Sequence, residues 1–406
     1  MRNNSVLKQT LKWAAAAAAA TALQSGIAAP SEVLIGAPIS MTGLLAPDGK
    51  DQKWAYEQAV ADVNAKGGIF IKEAGKKLPV KLVIADDQSD PAKVTDAMER
   101  LIKIDKAELI LSTHGGDLNM TGAQAAEKYK KFYMITTLWP HMWAPKKFKH
   151  SALVFFDAGG GAELPFKIWQ GMPEKDRPKK VALVMEDTPD GQGFAGAFKG
   201  VGKKFGYTFA MDEPWALGAK DYSAYILKMK AKGIDAILLF GNPTDAITLV
   251  RQMKEQKFSV PYLHGWKGTW TGEFREALGD DSDYVLADGF WSSDLPHPGA
   301  KELGERYTKQ FNKSNTSVGM FYANAQVLLK AIEATGSVDP KVVRDAVVGH
   351  EIKGTVQGDL KFDKGGLALT TSTANQWWKG KHMLVYPPVK GGWQLKLAPS
   401  WEQRGK

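Results

Sequence analysis

Residues 33–43 read VLIGAPISMTG, a short apolar run that ends in a glycine-containing loop. A helical pattern follows over residues 52–65, and Lys66-Gly67-Gly68 ends it because glycine adopts the left-handed conformation of a helix C-cap. A second apolar run at residues 80–85 leads to Asp90-Pro91, a pair that favours a helix start. This strand–helix alternation predicts an α/β fold with a doubly wound parallel sheet.

The same alternation restarts in the second half of the chain. Residues 180–185, 236–240 and 260–264 are apolar runs, each followed by a loop. A chain of 406 residues is also too long for one ordinary core. Loops that follow parallel strands gather at the carboxyl edge of the sheet, where ligands bind. We therefore expect two doubly wound parallel-sheet lobes with a ligand cleft between them.

Three segments carry a resemblance to a known family. Residues 35–43 (IGAPISMTG), 62–69 (DVNAKGGI) and 86–91 (DDQSDP) closely resemble the Leu/Ile/Val-binding family, the periplasmic solute-binding proteins of ABC importers. The likeness continues more loosely to about Trp378. It implies the type I periplasmic-binding fold, in which three hinge crossings join the lobes and closure of the cleft buries the ligand.

The resemblance and the glycine-rich junctions together predict the lobe boundaries. We expect the first lobe to hold residues 30–157 and 293–355, and the second lobe to hold residues 158–292 and 356–406. The crossings then lie near Gly159, Ser292 and residues 353–358. The sequence leaves the placement of the last twenty residues open.

The N-terminus indicates export. Residues 1–12 contain three basic side chains and no acid, residues 13–23 are apolar, and small residues follow at 26–29. This order predicts a signal peptide over residues 1–29, cleaved near Ala28 or Ala29, and hence a periplasmic protein. The alternative is an N-terminal membrane anchor, for which the apolar run is short.

Composition narrows the possible partners. The chain has no cysteine, which excludes disulfides, thiolate metal sites and cysteine nucleophiles. Removing residues 1–29 lowers the formal net charge from +9 to +6, and the remaining lysines are spread over many helices. A solvated surface explains such a distribution, so we expect no nucleic-acid partner. The expected partners are a small-molecule ligand and the membrane permease of an ABC importer, with the chain itself a monomer.

Enzyme motifs are missing from the sequence. It contains neither Gly-x-Ser-x-Gly nor His-Glu-x-x-His, and residues 43–50 have five residues where a phosphate-binding loop needs four. The seven histidines are scattered, without metal-ligand spacing inside one element. We expect no catalytic residues, no cofactor and no metal.

The resemblance implies a set of ligand-binding positions, carried over loop by loop. In the first lobe the candidates are Asp48, Gly116, Asp117, Leu118, Trp139, His141 and Tyr322. In the second lobe they are Asp190, Asn242, Trp266 and Lys267. The alternative role for the tryptophans and Tyr322 is core packing, and for the two aspartates it is capping of the helices that follow them.

The resemblance also suggests a ligand class. The family's acid for the ligand ammonium matches Trp266-Lys267 here, and its serine-rich carboxylate loop matches residues 115–118, GGDL. A lysine in that place predicts an aromatic or other organic carboxylate, held by aromatic stacking and a counter-charge from Lys267 or His141. A branched-chain amino acid or amide, or a sensing subunit for a membrane receptor, stays open as an alternative.

Overall fold

The computed structural model describes residues 31–216 and 218–404, and the predicted signal peptide at residues 1–29 lies outside this part. The described strands are β1 Val33–Ile39, β2 Ile69–Ile71, β3 Lys76–Leu78, β4 Val80–Asp86, β5 Leu109–Leu111, β6 Phe132–Ile135, β7 Ser151–Phe155, β8 Val181–Glu186, β9 Phe209–Trp215, β10 Ala236–Gly241, β11 Tyr262–Lys267, β12 Leu286–Gly289, β13 Glu351–Thr355, β14 Gly358–Lys361, β15 Leu367–Leu369, β16 Thr373–Trp378 and β17 Lys381–Tyr386. The described α-helices are α1 Ala46–Asn64, α2 Pro91–Lys103, α3 Gly116–Tyr129, α4 Pro140–Trp143, α5 Ala158–Gly171, α6 Pro189–Lys204, α7 Ser223–Lys232, α8 Pro243–Glu255, α9 Gly272–Leu278, α10 Ala300–Phe311, α11 Val318–Thr335 and α12 Pro340–Val347.

The first lobe is built on a six-stranded sheet in the order β15-β7-β6-β5-β1-β4. Every neighbouring pair of strands in it is parallel. Helices α1 and α11 pack against each other, as do α2 and α3. The four inner strands β1, β5, β6 and β7 are buried along nearly their whole length, as parallel strands covered on both faces must be, whereas the edge strands β4 and β15 are partly exposed.

The second lobe is built on a seven-stranded sheet in the order β17-β16-β12-β11-β10-β8-β9. Strands β8 to β12 pair in parallel, and β16 and β17 add an antiparallel edge. Separate apolar clusters fill its two faces, one under α5 and α6 and the other under α7, α8 and α9. The predicted α/β fold with two parallel-sheet lobes is therefore confirmed.

The chain passes three times between the two sheets. The first two passages lie at residues 156–157 and 290–299. The third lies at residues 370–372, because β15 pairs with β7 in the first sheet and β16 pairs with β12 in the second. The predicted third crossing near residues 353–358, and the lobe boundary drawn there, are wrong. Residues 351–361 instead form the β13–β14 hairpin, and the chain then returns to the edge of the first sheet.

The first helix begins earlier than its periodicity predicts. Helix α1 starts at Ala46 rather than near residue 52, with Pro47 in its first turn. Proline suits that position because its fixed φ is helical and its missing N–H has no helical partner to lose. The helix also approaches β1 closely, since a Cβ added at Gly49 would lie 1.9 Å from the carbonyl oxygen of Ser40. This contact holds the first strand-end loop in place.

A buried carboxylate fixes the edge of the first sheet that faces the second lobe. Asp87 accepts hydrogen bonds from Ser40 Oγ at 2.6 Å, from Thr113 Oγ1, and from the Ser89 backbone N–H at 3.0 Å. These residues follow β1, β5 and β4, so one side chain joins three strand ends. Satisfying a buried carboxylate with several donors is what makes its burial tolerable.

Residues 387–404, the last that the structure describes, run over the second lobe without entering a sheet. The Ala398 backbone N–H donates to the Pro261 carbonyl, and the Trp401 indole N–H donates to the Phe258 carbonyl. The Arg404 guanidinium stacks on Trp401 at 3.6 Å. Local periodicity could not place this segment because its partners lie far away in the sequence.

Candidate functional site

Strand-end loops of the two sheets face each other across the interlobe junction. After β5 the chain turns at Gly115, whose φ is +97°, and enters α3 at Gly116. The Gly115 N–H donates to Thr137 Oγ1 at 3.2 Å. Asp117 lies exposed in the first turn of α3, and Leu118 is buried. The start of α3 thus offers backbone N–H groups and the positive end of a helix dipole.

Asp48 lies at the same edge of the first lobe. Its Oδ2 is 3.9 Å from His114 Nε2, and the His114 ring makes an edge contact with Phe321 at 5.6 Å. His114 Nδ1 is buried without a hydrogen-bond partner among residues 31–216 and 218–404. His114 was not among the predicted site residues, although it lies in the loop after β5, which was recognised.

Trp139 joins the two lobes. Its ring centroid lies 5.4 Å from that of Phe155, which ends β7 of the first lobe, and 5.4 Å from that of Phe156 at the first crossing. It also lies 5.3 Å from the ring centroid of Phe194, on α6 of the second lobe. It is partly exposed, and His141 stacks beside it at 6.3 Å. An aromatic wall at the interlobe junction is therefore present, with Trp139 at its centre.

Lys267 does not present a free positive charge. Its Nζ lies 2.6 Å from Glu186 Oε1, and it stands 5.4 Å from the Phe240 ring centroid. The Glu186 side chain is 1% exposed and accepts a second hydrogen bond, from Thr188 Oγ1 at 2.9 Å. In the described part of the chain, Glu186 Oε2 has no partner although it is buried. The expected counter-charge for an anionic ligand is thus already paired with a buried acid.

Asp190 interacts with charges from both lobes. The residue is exposed overall, but desolvation of its carboxyl raises the pKa above the ordinary value. The positive charges of Lys267 and His141 lower that pKa, whereas the negative charges of Glu186 and Asp117 raise it further. Four predicted residues, from opposite lobes, therefore share one electrostatic neighbourhood.

Asn242 lies at the same edge of the second sheet. It directly precedes α8, and its side chain makes no capping hydrogen bond to that helix. Its main chain lies against Gly268, where an added Cβ would be 2.6 Å from the Asn242 carbonyl oxygen. This close approach places the partly exposed Asn242 beside the loop that carries Lys267.

Two predicted residues lie elsewhere. Trp266 is 1% exposed, and its ring packs against His264 at 4.0 Å and Phe198 at 4.8 Å in the core of the second lobe. Neighbouring residues of a strand point to opposite faces, so Trp266 faces that core while Lys267 faces Glu186. The Tyr322 hydroxyl donates to Asp62 near the C-terminal end of α1, away from the strand-end loops. We do not retain either residue as a ligand contact.

The side chains at the interlobe junction are suited to binding a ligand. The described ranges hold no group of three or more histidine, aspartate or glutamate side chains placed to ligate a metal ion. Among the described helices, none combines the length and apolar character that crossing a membrane requires. What the junction provides is an aromatic wall, a helix N-terminus and a cluster of charges, which are elements for holding a small polar molecule.

Replacing Lys267 by methionine should destabilise the protein, because it leaves the buried Glu186 carboxylate without its cation. Removing one partner of a fully buried pair costs roughly 3–5 kcal/mol. Lys267 is one-third exposed, so we expect about 1–3 kcal/mol for Lys267→Met. Chemical denaturation measures this change.

The matched control is Glu186→Gln combined with Lys267→Met. This double variant removes both charges together, so it should recover at least half of the stability lost by Lys267→Met alone. A single variant as stable as the wild type would show that the ion pair contributes nothing.

The chain matches known proteins over most of its length. A family model described as periplasmic binding protein covers residues 32–378. Leu/Ile/Val-binding protein homolog 2 of Brucella abortus (strain 2308) is 26% identical over 353 residues, which cover 86% of this chain and 92% of that protein. An amino acid binding protein of Pseudomonas aeruginosa is 27% identical over 362 residues, covering 87% of this chain and 92% of that protein.

Solved structures share the fold. The branched-chain amino acid transporter substrate-binding protein LivJ of Streptococcus pneumoniae, in complex with isoleucine, has a TM-score of 0.73 at 20% identity and covers 88% of this chain and 100% of that one. A solute-binding protein of an ABC transporter from Rhodopseudomonas palustris BisB5, in complex with 3,4-dihydroxybenzoic acid, has a TM-score of 0.70 at 18% identity, covering 87% and 95%. The similarity to these structures shows that the chain shares their fold, and the family match over residues 32–378 shows that it belongs to the periplasmic binding protein family.

Proposed function

We propose that this protein is the substrate-binding subunit of an ABC importer and captures a small organic solute at the interlobe junction around Trp139. Its family binds small molecules for ABC permeases and performs no catalysis on them. The observation that supports the site is the electrostatic neighbourhood of Asp190, to which both lobes contribute. A solute that contacts both lobes supplies the differential binding energy that closure needs.

The charges favour a solute with a positively charged nitrogen. Three carboxylates, Asp117, Glu186 and Asp190, share the neighbourhood with Lys267 and His141, and Lys267 is occupied by Glu186. Desolvation, and after it the nearby acids, raise the pKa of the Asp190 carboxyl, and a cation beside it would stabilise the ionised form. We therefore revise the sequence-based expectation of an organic carboxylate toward a solute with an ammonium group.

The remaining features indicate the rest of the solute. The N–H groups at the start of α3, around Gly116, suit a carboxylate. The aromatic wall of Trp139 and Phe194 suits an apolar or aromatic body. Together these features describe an apolar or aromatic amino acid. An organic carboxylate without an ammonium is the second candidate, because α3 and His141 would still favour its anion.

We also propose that the protein serves transport rather than sensing, and that it is a monomer without a nucleic-acid partner. A sensing subunit for a membrane receptor would use the same cleft, so the two roles differ in the membrane partner rather than in the site. Co-purification with a permease from solubilised membranes supports import, and co-purification with a receptor would contradict it.

A matched series of solutes tests the charge of the ligand. Phenylalanine, phenethylamine and 3-phenylpropanoate share one aromatic body and differ only in their charged groups, and leucine, isoamylamine and 4-methylpentanoate form the aliphatic counterpart. We expect the amino acid to bind tightest in the preferred series. The acid that lacks the ammonium should bind about tenfold to a hundredfold more weakly, since one charge-assisted hydrogen bond contributes roughly 1.5–3 kcal/mol. Calorimetry measures each dissociation constant.

Asp190→Asn provides the control for this series. It should weaken the amino acid and the amine about tenfold and leave the acid unchanged, because only the ammonium faces Asp190. Equal loss for all three solutes would contradict a charge-specific role. Tightest binding of the acid would establish the second candidate instead.

Export is the last part of the proposal. The family is periplasmic, and we propose that residues 1–29 are the signal peptide that directs the chain there. N-terminal sequencing of the periplasmic protein should give a chain that begins near Pro30. A chain that retains Met1 and sediments with the membranes would establish the anchor.

A further inference from the structure

The net positive charge of the chain is concentrated in residues 379–406. This segment contains six basic side chains and one acid, a net charge of +5, whereas residues 30–378 have a net charge of +1. The segment also lies outside the part of the chain that the family model matches, which ends at residue 378. A charge asymmetry of this kind indicates a surface that meets an anionic partner.

The turn between β16 and β17 presents two of these lysines beside a tryptophan. Lys379 and Gly380 form the turn with φ angles of +49° and +79°, the left-handed pair that suits a two-residue hairpin. The strand register pairs Trp378 with Lys381, and directly opposite residues of two strands lie on the same face. Both lysines are exposed, and Trp378 is partly exposed. The hairpin thus holds an indole ring and two ammonium groups together at the surface.

The segment after β17 adds a second indole and a third lysine to this hairpin. The ring centroid of the partly exposed Trp393 lies 5.5 Å from that of Trp378, and its indole N–H donates to Gln376 Oε1 at 3.1 Å. The exposed Lys396 places its Nζ 4.1 Å from the Trp378 ring centroid and 5.0 Å from that of Trp393. We call the following five residues the indole–lysine cluster: Trp378, Lys379, Lys381, Trp393 and Lys396.

The acids beside the indole–lysine cluster are paired with other cations. Asp283 Oδ1 accepts from the Lys379 backbone N–H at 2.9 Å and lies 3.2 Å from Arg275 Nη1. Asp281 lies 2.7 Å from Lys254 Nζ. The ammonium groups of the cluster are therefore not held by these acids, and they remain available to an anion from outside the chain.

We propose that the indole–lysine cluster docks the protein on a bilayer surface that contains anionic phospholipids. Ammonium groups pair with headgroup phosphates, and indole rings favour the boundary between water and acyl chains, where lysine stems also lie. Stacking on two indole rings restricts Lys396, so it loses less side-chain freedom when it meets a phosphate. The docking does not involve the interlobe junction, so it is independent of the proposed capture of a solute.

Co-sedimentation of the purified protein with lipid vesicles tests this docking. We expect binding to vesicles that contain phosphatidylglycerol and no binding to pure phosphatidylcholine. The binding should weaken as salt is added, because ions screen exposed charges. The triple variant Lys379→Gln/Lys381→Gln/Lys396→Gln should bind about a hundredfold more weakly, since each lysine near an anionic surface contributes about fivefold.

Two variants control for charge and for fold. Arginine at the same three positions keeps the charge and should bind as the wild type does. Lys146→Gln/Lys147→Gln/Lys149→Gln removes three exposed lysines that lie close together on the first lobe, and it should also bind as the wild type does.

Any of three results would overturn the inference. The first is a wild-type protein that does not bind phosphatidylglycerol vesicles, even if it binds an acidic protein. The second is equally strong binding to pure phosphatidylcholine. The third is a first-lobe variant that loses as much binding as the cluster variant, because binding would then follow net charge rather than this surface.

Discussion

The contact of Trp139 with Phe194 is the interaction on which the interlobe junction depends. It joins a first-lobe loop to a second-lobe helix, with centroids 5.3 Å apart, and the Phe155 and Phe156 rings continue the apolar surface toward the hinge. Such aromatic pairs contribute about 0.5–1.5 kcal/mol each beyond the area they bury. They also exclude water, which strengthens every charge interaction nearby.

This exclusion of water explains how charge is arranged on the second lobe. Glu186 and Lys267 neutralise each other at the strand ends of the second lobe. The charge that this lobe adds at the junction is therefore that of the further acid, Asp190. Asp288 is buried without a hydrogen-bond partner among the described residues, and burial raises the pKa of its carboxyl well above the ordinary value. The second lobe thus meets desolvation in two ways, with an ion pair between Glu186 and Lys267 and with a raised pKa at Asp288.

The strand–helix alternation was readable from the sequence because it depends on local periodicity and on local caps. Asp90, for example, caps α2 by accepting from the N–H groups of Ala92 and Lys93, as its position before Pro91 predicts. The third crossing was not readable, because β15 has three residues and its position depends on pairing with the distant β7.

The site was predictable only in part, because local sequence patterns locate loops but not long-range contacts. The strand-end loops could be located, so the sequence assigned to the sheet edges Asp48, Gly116, Asp117, Leu118, Trp139, His141, Asp190, Asn242 and Lys267, of which Leu118 is buried. The partner of Lys267 could not be found, because Glu186 lies 81 residues away and ends an otherwise apolar strand. Trp266 was misassigned because its side chain faces the core of the second lobe, and only the register of the strands reveals that orientation. Local sequence thus locates the loops, whereas long-range packing decides which side chains remain free for a ligand.

The position of a bound solute tests the central claim most directly. A crystal structure of the protein with a solute that raises its melting temperature would show where that solute lies. We predict density between Trp139 and Phe194, with a positively charged nitrogen within hydrogen-bond distance of Asp190 and contacts to both lobes. A solute bound outside the junction, for instance in the groove between residues 295–297 and 387–390, would contradict this assignment.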